Sequence, residues 1–418
     1  MLPAQTALGQ EQRSFHAYVH IPFCRVRCGY CDFNTYTATE LDGASQSDYA
    51  DVLLREIEFS SDVLSSSGVA KRALKSVFFG GGTPSLLPAD DLGRVITAIK
   101  ARNGLTDDCE ITLEANPDSV TAEKLARYLE VGFNRISFGM QSSNPDVLKV
   151  LDRTHNPENV RKAVDMARAA GFGSISVDLI YGLPKQTPAT FKESVDAVLQ
   201  MNPDRLSVYN YAHLPHIFKP QRRIAEVDLP AAADKLDILS NTIARLGEAG
   251  YVFIGMDHFA KPDDELAIAQ KEGKLHRNFQ GYSTQAECDL LAFGISSIGK
   301  VDDCYSQNVR TLDEYYEALD SGHLPVLRGL QLDKDDLLRR ELIGELMCQF
   351  ALDTKAFAAS HQIDFPSYFK AEIEELKHLE EAGLLDWEGE SILVPTKGRL
   401  LARRVAMTFD RHLRESQA

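Results

Sequence analysis

From Ala17 onward, short apolar or β-branched runs alternate with longer amphipathic segments. The runs AYVHIP from Ala17, SVFFGG from Ser76, EITLEAN from Glu110, RISFGMQ from Arg135, SISVDLIYG from Ser174 and RLSVYNY from Arg205 are mostly apolar without strict alternation. That pattern predicts parallel strands covered on both faces. Between them lie helix-like segments such as PADDLGRVITAIKAR from Pro88 and NPENVRKAVDMARAAG, which ends at Gly171. In the latter, Val160, Ala163, Val164 and Ala167 share one helical face before a glycine stop. Six strand–helix units in succession predict a parallel α/β sheet, either curled as a barrel or open.

After about residue 225 the rhythm changes. AADKLDILSNTIARLGEAG reads as a helix, YVFIGMDHFA as one strand, and GKLHRNFQGYSTQAECD as loop. From Asp333 the pattern is mostly helical: in SYFKAEIEELKHLEEAG, Phe369, Ile373, Leu376 and Leu379 line one face and Gly383 ends it. LLDWEGESILVPTKGRLLARRV predicts a short hairpin leading into a helix, so the C-terminal unit is expected to be winged-helix-like. The expected division is a short segment 1–16, a barrel 17–225, an extension 226–332 covering the barrel mouth, and a C-terminal domain 333–418. Asp333, Asp335, Asp336 and the glutamates between 372 and 381 make that last domain acidic, which favours packing over DNA binding.

Composition narrows the function classes. The 418 residues are 44% hydrophobic, enough for a large core, and carry 45 Lys+Arg against 61 Asp+Glu, a formal charge of -16. So acidic a chain is a poor binder of nucleic-acid backbones, although Arg222 and Arg223 form a local basic patch. The N-terminal MLPAQTALGQEQRSF lacks the pattern of a secretory signal, and no long apolar run suggests a membrane span. The expectation is a cytoplasmic protein with reduced thiols, where clustered cysteines suggest metal or redox chemistry.

Three of the seven cysteines crowd into HIPFCRVRCGYCDFNTY, as C-x3-C-x2-C at Cys24, Cys28 and Cys31. The loop follows the first predicted strand, where parallel sheets place their functional residues. Structural zinc wants four ligands, and only Asp32 stands beside the three thiols. Three thiolates on a [4Fe–4S] cluster leave one iron open. Gly80, Gly81 and Gly82 follow the second strand and permit close backbone approach to a ligand. Glu114, Gln141 and Asp178 lie in the third, fourth and fifth strands or at their ends, with Arg153 in the loop beyond the fourth. A buried Asp178 requires either a partner such as Arg153 or a polar cavity. Cys109, Cys288, Cys304 and Cys348 share no spacing and read as ordinary buried thiols.

The cysteine spacing and GGGTP resemble the radical S-adenosylmethionine (radical SAM) enzymes. YVHIPFC, VDLIYGLPKQTP, NPDRLSVYNYAHLP, GMDHFAKPDDELA and LHRNFQGY are similar to one subgroup, the oxygen-independent coproporphyrinogen III dehydrogenases together with the haem chaperone HemW. The resemblance implies an incomplete parallel (β/α)6 TIM-like barrel. It implies that Cys24, Cys28 and Cys31 ligate a [4Fe–4S] cluster. It further implies that Tyr18, Tyr30, Gly81, Gly82, Thr83, Glu114, Gln141, Arg153, Asp178, Ala212 and Ile298 line one or two SAM sites. Up to about Asp178 the chain looks like the chaperone, and beyond IYGLPKQTP like the dehydrogenase. Phe33 stands where the dehydrogenases carry a further cysteine, and the segment before the first strand is shorter than theirs.

Two readings follow from that resemblance. One is oxidative decarboxylation of coproporphyrinogen III to protoporphyrinogen IX, with a reductant such as flavodoxin or ferredoxin. The other is a haem chaperone without decarboxylase activity, in which His276 is a candidate axial ligand. Arg222, Arg223 and His213 are candidates for meeting propionates, and His258 lies in a porphyrin-side segment. Phe33 is expected to fill apolar volume.

Overall fold

The computed structural model describes residues 14–40, 46–278, 281–284 and 288–417. Its first half runs β1 (Phe15–Ile21), α1 (Gln46–Ser66), β2 (Leu74–Gly81), α2 (Ala89–Asn103), β3 (Leu105–Ala115), α3 (Ala122–Glu130), β4 (Arg135–Gln141), α4 (Pro157–Ala170), β5 (Ser174–Tyr181), α5 (Pro188–Met201) and β6 (Arg205–Asn210). The strands pair in parallel in chain order. Alternation along β1 shows how the layers arise. Ala17, Val19 and Ile21 are fully buried in a core shared with Leu53 and Ile57 of α1, whereas Tyr18 stacks on Phe78 inside the curl of the sheet. Thr121, Asn156 and Thr187 cap the starts of α3, α4 and α5, and Gly171 ends α4 in the left-handed region at φ 107°.

The later segments extend this sheet at both edges. After α6 (Ala232–Glu248), β7 (Val252–Gly255) and β8 (His258–Ala260) form an antiparallel hairpin beside β6. The single strand expected over YVFIGMDHFA is therefore two, broken where Met256 takes φ 47°. β9 (His276–Asn278) and β10 (Gly281–Ser283) make a small separate hairpin in the stretch read as loop. β11 (Asp289–Phe293) lies parallel to β1 on its free side. β12 (Ile298–Val301) and β13 (Cys304–Asn308) follow, then α7 (Leu312–Asp320) and β14 (Val326–Gln331), with the strands from β11 to β14 antiparallel. The extension expected to cover the mouth thus supplies β7, β8 and β11–β14, six of the twelve strands in the sheet. The sheet ends at β7 and β14, which do not pair with each other, so the barrel stays open along one side.

The base of the curl is closed by charge. Arg135 and Arg205, the first residues of β4 and β6, share Glu265 at 2.5 and 2.6 Å, while Arg135 also meets Glu110 at 2.5 Å and Arg205 meets Asp264 at 2.8 Å. α8 (Lys334–Gln349) opens a C-terminal unit of helices and one three-stranded antiparallel sheet. It has its own core, with Leu342, Phe369, Leu376, Ile392 and Phe409 fully buried.

Candidate active site

Where β1 ends, the cysteine loop and the glycine segment after β2 are sewn together by backbone. The Gly82 amide donates to the Ile21 carbonyl and the Thr83 amide to the Phe23 carbonyl, both at 2.8 Å. Cys24 Sγ lies 3.6 Å from the Thr83 hydroxyl. A Cβ on Gly82 would stand 2.7 Å from the Phe23 carbonyl oxygen, so this glycine is demanded by the seam itself. Gly81 has φ 108°, and a Cβ there would strike the His20 ring. His20 passes the contact on: its Nδ1 accepts from the Tyr18 hydroxyl at 3.0 Å and its Nε2 donates to the Asn34 carbonyl at 3.2 Å. The far end of the loop is held from other elements. The Gly29 amide donates to Leu151 O at 3.1 Å, and buried Gln221 donates from Nε2 to Tyr30 O at 3.0 Å. The Asn34 amide reaches the Ser296 hydroxyl at 2.5 Å.

The three thiols lie close enough to influence one another's protons. Burial pushes Cys31 up to about 12 and raises Cys24, and neighbouring thiols add to both. Bound metal would therefore displace protons from these sulfurs. Among the described residues no trio of Cys, His, Asp or Glu converges on a point that would hold a single ion. Thiolates around a four-iron cube stand farther apart than ligands of one ion, so this all-sulfur donor set fits a cluster. Arg153 Nη1 lies 3.5 Å from Cys28 Sγ and 3.4 Å from the Tyr30 hydroxyl, and Nη2 donates to Gly139 O at 2.6 Å. Its Nε donates to His155 Nδ1 at 3.4 Å.

Arg153 is therefore committed to the cysteine loop and makes no ion pair with Asp178. Asp178 accepts instead from Ser137 on the neighbouring strand at 2.8 Å and from Ser207. Glu114 accepts the Gly81 amide at 3.2 Å. Burial, with Asp178 nearby, pushes Glu114 up to about 8, and burial pushes Asp178 up to about 6. Gln141 has φ 65°, and its buried Oε1 has no partner. Two carboxyls with raised proton affinity and an orphan acceptor facing one lumen form a receptive site for a cationic, hydrogen-bonding ligand such as SAM. Ile298, first residue of β12, lies two residues after Ser296, while Ala212 is exposed in the loop after β6.

Other expectations need correction. Phe33 is 56% exposed rather than buried against the cysteine loop. Cys304 is exposed, unlike buried Cys109, Cys288 and Cys348. Arg223 pairs with Asp152 at 2.5 Å and donates to the Arg27 carbonyl; Arg222 donates from Nε to the Pro215 carbonyl, and His213 Nδ1 meets the Tyr211 hydroxyl. Phe279 and Gln280 of LHRNFQGY lie outside the described residues. Sequence reasoning missed Gln221, Asn34 and Ser296; their contacts span |i−j| of 191 and 262, and no local pattern announces them.

The radical SAM superfamily model matches residues 18–198, and the HemN C-terminal domain model matches 332–401. Oxygen-independent coproporphyrinogen III oxidase of Escherichia coli is 42% identical over 98% of this chain and 88% of its own length. The chain belongs to the oxygen-independent coproporphyrinogen III oxidases. The Pseudomonas aeruginosa oxidase is 43% identical over 97% of this chain and 88% of its own. The solved structure of coproporphyrinogen III oxidase (HemN) from Escherichia coli, a radical SAM enzyme, superposes with a TM-score of 0.90, covering 97% of this chain and 92% of that one. Likeness to the oxidases thus runs through both halves of the chain, including the first half that resembles the chaperone. The family binds a [4Fe–4S] cluster and SAM, and the donors described above suit both. Among the described residues no helix is long and apolar enough to cross a membrane.

The carboxyl pair sets up a measurable proton balance. At pH 7 Glu114 holds its proton and Asp178 has mostly lost its own. A cation entering the lumen favours the charged carboxylate, so SAM binding at pH 7 is expected to release about one proton. Calorimetry in buffers of different ionisation enthalpy measures this. Release should vanish near pH 9.5, and in Glu114→Gln at pH 7.

Proposed function

We propose that this oxidase decarboxylates coproporphyrinogen III to protoporphyrinogen IX. At each of two propionates the β-carbon loses a hydrogen atom, the carboxyl departs as CO2, and one electron passes to an acceptor, leaving a vinyl group. The observation that carries the reading is the seam that joins the three-thiol loop to the glycine segment and, through the Gly81 amide, to Glu114. When bound, the cluster and SAM together supply one-electron cleavage and a radical able to take hydrogen from an unactivated carbon. Cys24, Cys28 and Cys31 would hold the cluster, and Arg153 would donate to the sulfur of Cys28. Tyr18, Tyr30, Gly81, Gly82, Thr83, Gln141, Ala212 and Ile298 would surround SAM, with Glu114 and Asp178 meeting its positive charge. The curled sheet and its charged base would keep water from the radical. A flavodoxin or ferredoxin would supply the reducing electron, in the cytoplasm, and no nucleic acid takes part.

Phe33 favours a second reading, a haem chaperone without turnover. The deciding experiment is anaerobic incubation of the reconstituted protein with SAM, dithionite and coproporphyrinogen III, beside a haem titration. Divinyl product supports the oxidase; stoichiometric haem binding with no product overturns it. Phe33→Cys is expected to raise product formation at equal iron content. Because Phe33 is 56% exposed, the change should alter stability by less than about 0.5 kcal/mol. A parent that turns over as fast as the variant removes any role for a fourth thiol.

A further inference from the structure

A tetrapyrrole substrate brings carboxylates that are not consumed, and these need cations. Arg153, Arg135, Arg205 and Arg72 each meet a carboxylate or the cysteine loop among the described residues, although Arg72 and Arg135 keep buried nitrogens without a hydrogen-bond partner. Arg153 serves the cysteine loop, Arg135 and Arg205 serve Glu110, Asp264 and Glu265, and Arg72 pairs with Asp289 at 2.7 Å. Arg277 on β9 differs. No carboxylate of the described residues lies within ion-pair distance of it. Its side chain bonds the Tyr282 hydroxyl, and its buried Nη1, like that of Arg340 lining the same cavity, has no hydrogen-bond partner.

Its surroundings place it between two spaces. Arg277 lines a cavity of about 1290 Å³ between the sheet and the C-terminal unit, to which β11, β12, α8 and Arg403 also contribute. That volume exceeds the upper range of about 1,000 Å³ for ordinary small-ligand pockets. The guanidinium stacks over the Tyr282 ring at 4.8 Å, and that ring meets His258 edge-on at 5.4 Å. His258 in turn meets Tyr209 at 5.9 Å, close to Asp178 in the lumen. His258 is itself incomplete: its Nδ1 is buried with no partner. The ring stays neutral because burial, with Arg277 and Arg205 nearby, pushes it down to about 3. Two orphan nitrogens therefore flank one tyrosine, Arg277 on the cavity and His258 on the side of Tyr209. An anion that accepts from Arg277 Nη1 and from His258 in its Nδ1–H tautomer would relieve both.

We propose that Arg277 and His258 form a carboxylate-binding site that anchors a propionate of the tetrapyrrole, and so fixes which part of the substrate faces SAM. This rests on the oxidase reading, but part of its test does not. Of the residues first expected to meet propionates, Arg223 is ion-paired with Asp152, whereas Arg277 meets no carboxylate of the described residues.

The experiment compares cluster-loaded wild type with Arg277→Met and Arg277→Lys. Cluster absorbance and SAM affinity serve as controls for folding. KM for coproporphyrinogen III should rise roughly 10–100-fold in Arg277→Met, the worth of a charge-assisted hydrogen-bonded pair, and recover partly in Arg277→Lys. Fluorescence titration with coproporphyrin III should show a similar loss of affinity. With its tetramethyl ester, which carries no carboxylates, wild type and Arg277→Met should bind alike. Unchanged KM and unchanged coproporphyrin affinity in Arg277→Met overturn the proposal, as does equal loss for the acid and the ester. If the wild type makes no vinyl product, the oxidase reading falls while the acid-against-ester comparison still decides the carboxylate site.

Discussion

Alanine at Cys24, Cys28 or Cys31 abolishes the visible iron–sulfur absorption of the anaerobically reconstituted protein, and with it SAM cleavage and vinyl formation. Each thiol lies in the one loop whose backbone is tied to Gly82 and Thr83, and the other four cysteines, Cys109, Cys288, Cys304 and Cys348, lie outside that loop. Cys109→Ala and Cys348→Ala remove buried thiols distant in sequence from that loop and should keep the absorption. Iron and sulfide analysis alongside spectra checks both halves of the prediction. A zinc-loaded, iron-free product would contradict it. Gly82→Val belongs with the cysteine variants, because its side chain would collide with Phe23, the residue before Cys24. It should lose the cluster as well as SAM.

The second large effect lies behind the site. Glu56 on α1 is 2% exposed and accepts from the Tyr315 hydroxyl at 2.5 Å, the Gly294 amide at 2.7 Å and the Asn308 amide at 2.6 Å. Tyr49, about two turns of α1 before Glu56, donates to His20 O at 2.8 Å and accepts from the Ile295 amide at 3.2 Å. Removing the carboxylate leaves several buried donors unpaired, at about 1–3 kcal/mol each, so Glu56→Ala should cost on the order of 4 kcal/mol. Glu56→Gln should not rescue it fully, since an amide offers one acceptor oxygen and adds two donors where donors already converge. Burial pushes Glu56 up to about 7. A raised carboxyl contributes most below its ordinary value and loses that contribution as pH climbs through 7. The gap in unfolding free energy between wild type and Glu56→Ala should therefore be wider at pH 5 than at pH 8, as read by denaturant titration.

The parallel core was legible because β1 to β6 are covered on both faces and so read as continuous apolar runs. β4 begins and ends where the pattern placed it, at Arg135 and Gln141. β14 was not legible: every residue from Val326 to Gln331 is exposed, so no alternation marks it. β11 is a short apolar run whose partner, β1, lies some 270 residues earlier, and local periodicity carries no information about such pairing. At the site, the cysteine spacing announced the donor set. The partners of Asp178 were not visible, because Ser137 and Ser207 reach it only through strand register. Phe33 was misjudged for a related reason: an aromatic residue in a cysteine loop has no helical or strand period from which burial could be read.

The placement of β11 beside β1 has a consequence for the order of events during synthesis. The strand that launches the cysteine loop leaves the ribosome among the first segments, yet its outer neighbour begins only at Asp289. The contacts of Ile295 with Tyr49, which holds His20, and of Ser296 with Asn34 come later still. A nascent chain of about 280 residues would carry all three cysteines on an unpaired strand edge, without the scaffold that shapes them. Iron–sulfur delivery is thus expected to follow, not accompany, translation of the first two thirds of the chain. A fragment ending at residue 280 should take up far less iron than one ending at 332, although both contain every ligand.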